Sequence, residues 1–67
     1  MRDKDRLYNF YSELMRIHMA YFPDWRFGQF IWNLESWLRE NKKVYDIFYI
    51  EEKAMLRYID EFVEAVK

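Results

Sequence analysis

Pro23-Asp24-Trp25-Arg26-Phe27-Gly28-Gln29-Phe30-Ile31-Trp32-Asn33-Leu34-Glu35-Ser36-Trp37-Leu38 holds all three tryptophans, the only glycine and the only proline of the chain. Proline cannot continue a helix and restricts the residue before it, so Pro23 ends whatever precedes it. Asp24 is then a natural N-cap for a central helix. Phe27, Phe30, Ile31, Leu34, Trp37 and Leu38 recur at three-and-four spacing and define its core face. Gly28 costs such a helix about 1 kcal/mol relative to alanine, which predicts a neighbouring backbone packed closely against it. Trp25 and Trp32, one heptad apart, project away from the core face.

Upstream, Asp3 or Asp5 can cap a first helix. Leu7, Phe10, Tyr11, Leu14, Ile17, His18 and Tyr21 form one stripe along it. Tyr8, Met15, Met19 and Phe22 form a second. Together they cover roughly 200° of the helix, about twice what one core-facing stripe needs. Either this helix packs against two neighbours, or one stripe serves another chain.

Downstream, Arg39, Lys42 and Lys43 sit near the helix end at Asn41, where cations offset the negative end of the dipole. Val44-Tyr45-Asp46-Ile47-Phe48-Tyr49-Ile50 is β-branched and aromatic without helical spacing. It predicts an extended link, with Phe48 and Ile50 on the core and Tyr49 outward. Glu51 and Glu52 open a third helix. Met55, Leu56, Ile59, Phe62, Val63 and Val66 are its apolar stripe, with Lys53, Arg57, Asp60, Glu61, Glu64 and Lys67 opposite. The fold class expected is therefore all-α: one compact three-helix domain over residues 1–67, with helices near 4–22, 25–41 and 51–66.

Composition bounds the chemistry. A chain of 67 residues buries a small core, and with no cysteine it has no disulfide to reinforce it. Aromatic residues make up 22% of the chain and can supply that reinforcement. The formal net charge of −1 lacks the basic excess of a nucleic-acid binder. The longest apolar runs are of four residues, such as 19–22 and 47–50, so neither a signal peptide nor a membrane span is expected. The chain reads as a small open reading frame of a cytoplasmic protein.

Arg26-Phe27-Gly28-Gln29 opening one helix, and Asp46-Ile47-Phe48-Tyr49-Ile50-Glu51-Glu52 opening another, resemble a signature of small uncharacterised proteins of bacteria and their phages. That signature is R-[FL]-G-Q followed by D-x-F-Y-[IV]-E-[DE], and the likeness spans about residues 5 to 66. It implies a shared fold and a mobile-element origin, but no activity. Trp32 and Trp37 depart from the pattern, as does Glu52, where aspartate is usual.

Catalysis has little to stand on. The lone histidine, His18, lies in an apolar stripe as a packed residue, without a nucleophile beside it. A single glycine excludes a phosphate-cradling loop, and a structural zinc site lacks ligands. The expectation is a non-enzymatic protein-binding module with no cofactor, metal or small-molecule substrate. Its surface would be Trp25, Trp32, Tyr8, Met15 and Met19. It would act by homodimerising, or by binding and inhibiting a host protein such as a defence nuclease. Alternatively, the first helix wraps over the two tryptophans and makes them core. A second alternative is a helix-turn-helix-like DNA reader with Arg26, Arg39, Lys42 and Lys43 on phosphates, against which the acidic balance weighs.

Overall fold

The computed structural model describes residues 3–67 and contains three α-helices. These are α1 (Asp5–Tyr21), α2 (Phe27–Lys42) and α3 (Glu52–Val66), with one turn of 3-10 helix at Ile47–Tyr49 between the last two. Among the described residues there is no strand. The expected all-α, three-helix architecture holds.

Each boundary has a local cause. At the start of α1 the Asp3 carboxylate accepts the Asp5 N–H at 2.9 Å. α1 ends at Tyr21, two residues before Pro23, and Phe22 donates its N–H to the His18 carbonyl. The capping of α2 differs from expectation. Asp24 is not its cap: the turn runs on through Trp25, whose N–H bonds to the Phe22 carbonyl at 3.1 Å. Arg26 takes the N-cap position in an extended conformation, and the Gln29 side chain reaches back to accept its N–H at 2.8 Å. At the other end Lys43 adopts a left-handed conformation (φ 57°), and Val44 donates to the Leu38 carbonyl.

The core is built around α3, which packs on both α1 and α2. Its buried contribution is Ile59, Phe62 and Val63, meeting Leu14 and Ile17 from α1 and Phe30, Leu34 and Leu38 from α2. Five of the rings, Phe22, Trp25, Phe30, Trp37 and Phe62, form one cluster in and beside this core. Trp25 stacks on Phe22 with centroids 4.2 Å apart and planes 6° from parallel. Phe22 lies 5.7 Å from both Phe30 and Phe62, and Trp37 meets Phe62 edge-on at 5.8 Å. Such ring pairs add to stability beyond the area they bury.

Gly28 does not serve the close approach its sequence position suggested. No heavy atom outside its own helix neighbourhood lies within 4 Å of where a Cβ would stand. Gly28→Ala should therefore recover the helix-propensity difference of about 1 kcal/mol. In a domain of this size that raises the melting temperature by about 4–8 °C, read from a circular dichroism melt. An unchanged or lower melting temperature would refute it.

Candidate protein-interaction surface

Between α1 and α2 the surface opens into an apolar groove of about 180 Å³. The buried side chains of Leu14, Leu34, Leu38 and Ile59 face it from the core, and Tyr11 on α1 and Phe27 and Ile31 on α2 stand at its sides. Ile47 from the 3-10 turn, Met55 from α3, Phe10 from α1 and one charged side chain, Glu35 of α2, complete it. Phe27 was expected on the core face. In the first turn of α2 it instead stands at the groove mouth, 63% exposed.

The second stripe of α1 extends this apolar surface outward. Tyr8 and Met15 lie three and four residues from Tyr11, and Met19 four beyond Met15, so they neighbour one another on the helix. All three are exposed. On α2, Trp32 follows Ile31 and lies further round the helix, 67% exposed. Four of the five residues expected to form an interface are therefore open to solvent.

Trp25 is the exception. The spacing to Trp32 assumed a helix that does not yet exist at Trp25, which sits in the turn before Phe27. Its half-buried ring packs on the core through the Phe22 stack. The turn is held from α1 by the His18 Nε2–H, which donates to the Trp25 carbonyl at 2.7 Å. His18 also lies 4.9 Å from the Phe30 ring, so it is a packed histidine. Phe22, read as part of the second stripe of α1, is buried, unlike Tyr8, Met15 and Met19, because the same turn folds it inward.

The link after α2 carries the largest departure. Asp46 accepts the Phe48 N–H on its carboxylate at 2.9 Å, and Ile50 donates to the Ile47 carbonyl at 3.2 Å. This local closure replaces the extended path, and Asp is a residue type that makes it readily. The register changes with it: Ile47 turns toward the core, whereas Phe48 and Tyr49 are each 81% exposed, paired edge-to-face at 4.9 Å. Asp46 followed two residues later by the aromatic was the available signal, overridden by the β-branched run.

The four basic residues of the DNA alternative do not form one face. Arg26 precedes α2, while Arg39, Lys42 and Lys43 lie at its far end, and 16 residues span about 24 Å. Lys42 pairs with Glu61. Arg39 borders a small cleft with Glu35, Tyr45 and Asp46, beside the apolar groove. Carboxylates elsewhere are engaged at the surface: Glu52 with Arg6, Glu13 with Arg16 and Glu64 with Lys67. The Arg16 hydrogen bond holds the Glu13 carboxyl below its ordinary value, and Glu64 holds Lys67 above its own.

Among the described residues no group of three or more histidine and acidic side chains is placed to hold a metal ion. No helix of the described residues is long and apolar enough to cross a membrane. Comparison with protein-family models, with curated proteins and with solved structures finds no match for this chain.

Proposed function

We propose that the protein is a non-catalytic binding module whose ligand is another protein, a second copy of itself or a protein of the host cell. The observation that carries this is the amount of large apolar side chain left open to solvent. An open groove is bordered by Tyr11, Phe27 and Ile31, and Tyr8, Met15, Met19 and Trp32 stand exposed on the same two helices, although the same fold buries a full set of core side chains. Contiguous exposed apolar surface of this kind marks interaction sites. Tryptophan, tyrosine and methionine are also the residue types enriched where proteins meet.

A photo-cross-linking side chain at Met15 tests the reading in the native cell. It should yield a discrete adduct, with the same chain or with another protein. Trp32→Ala should weaken that association by about 2 kcal/mol, roughly 30-fold, with the dichroism melt almost unchanged. No adduct at all, or an adduct indifferent to Trp32→Ala, would overturn it.

A further inference from the structure

We propose that the partner is a second copy of this chain, each copy seating its Phe48–Tyr49 tip in the other's groove. This rests on the protein-binding reading above and names the ligand of that same surface. The molecule carries both halves of a fitted contact. The tip presents two rings, each 81% exposed. Its backbone is held by the Asp46 carboxylate and by the Ile50–Ile47 hydrogen bond, so docking orders the two side chains but not the chain that carries them. The groove measures about 180 Å³. An apolar cavity of about 150 Å³ accepts a benzene molecule, so one phenyl ring fits.

Placement selects the symmetry. Ile47 borders the groove and Phe48 is the next residue, so the tip adjoins the groove along the chain. A two-fold axis between them brings each tip to the other copy's groove, and every contact is made twice. On opposite faces they would have generated an open filament instead. A foreign partner could use the groove but gives no reason for a rigid aromatic tip beside it.

The area is also of the right order. Tyr11, Phe27, Phe48 and Tyr49 each have more than three-fifths of their surface open. At roughly 150–250 Å² per ring they supply about 500 Å² per copy. Trp32, Tyr8 and Met15 at the rim bring this toward the roughly 800 Å² per partner of an ordinary stable interface.

Light scattering on the full chain, from about 1 µM to about 1 mM, should show a shift from one chain of 8.6 kDa to two. Combining Phe48→Ala with Tyr49→Ala should raise the dissociation constant by about 30-fold or more while leaving the helical signal and melt of the monomer intact. Phe27→Asp should do the same from the groove side. Mixed together, the two variants should form a heterodimer more readily than either self-associates, because one intact tip then meets one intact groove. Wild-type protein that stays at one chain throughout overturns the second copy. A cross-link from Met15 to a different protein would still leave the binding surface standing. A dimer indifferent to the tip substitutions, or variants that do not complement, overturns the tip-in-groove contact.

Discussion

Phe30→Ala is expected to leave the chain unfolded at room temperature. Phe30 is fully buried, and its ring lies 4.9 Å from His18, 5.7 Å from Phe22 and 6.5 Å from Phe62. Removing a core phenyl ring costs about 3–5 kcal/mol through lost burial and the cavity left behind. Each aromatic partner adds about 0.5–1.5 kcal/mol beyond burial. A domain below about 70 residues rarely draws more than about 3–5 kcal/mol of net stability from a single core. The loss therefore matches or exceeds the whole. Far-UV dichroism reports the outcome directly. A variant that still melts cooperatively near the wild-type temperature would show that the ring cluster is not what holds the helices together.

Trp25→Ala and Trp32→Ala should differ sharply in stability, although the two indoles lie one heptad apart. Trp25 loses its stack on Phe22 at 4.2 Å and its contacts with Phe30 and Phe62 at 6.3 Å. Its ring is half-buried, which brings the cost below that of a full core deletion, to about 2–3 kcal/mol. The His18 hydrogen bond is made to the Trp25 backbone and survives the substitution. In urea the midpoint should fall by about 1–2 M for a slope typical of small proteins. Trp32→Ala removes a ring that is 67% exposed and should change the monomer's stability by no more than about 0.5 kcal/mol. Matched urea titrations at concentrations that keep the chain monomeric separate the two. Equal midpoints, or the larger loss at Trp32, would contradict the assignment of one indole to the core and the other to the surface.

That division was only half legible in the sequence, for a physical reason. Helical periodicity locates side chains well inside a helix and fails at its ends. α3 reads correctly through Met55, Leu56, Ile59, Phe62 and Val63, which lie within continuous helix and pack on the core, whereas Val66, at its last residue, was expected on the same stripe and is exposed. Trp32 likewise reads correctly as outward. Trp25, Phe22 and Phe27 cluster around the Pro23 turn, where the chain direction changes within a few residues. There the Phe22–Trp25 stack, a contact between side chains on a turn, decides which ring goes inward. Phe48 was misplaced by the same kind of local event. One carboxylate, Asp46, captures a backbone N–H and turns a run with strand propensity into a 3-10 turn, exchanging the inward position from Phe48 to Ile47. The groove itself was beyond reach, since it depends on how α1 and α2 stand relative to each other over α3.

The central place of α3 also sets the order in which the molecule can be made. Both other helices pack on it, and its last two turns carry Phe62 and Val63. It is the last of the three helices to leave the ribosome. At a synthesis rate of about 5–20 residues per second, the apolar faces of α1 and α2 wait on the order of seconds for the surface that buries them. During that interval the two segments lack the partner that stabilises them, and isolated helices of this length are marginal in water. A premature stop before Phe62 makes that condition permanent, because Phe62 and Val63 are then missing from the core, and its product is expected to show no cooperative melt.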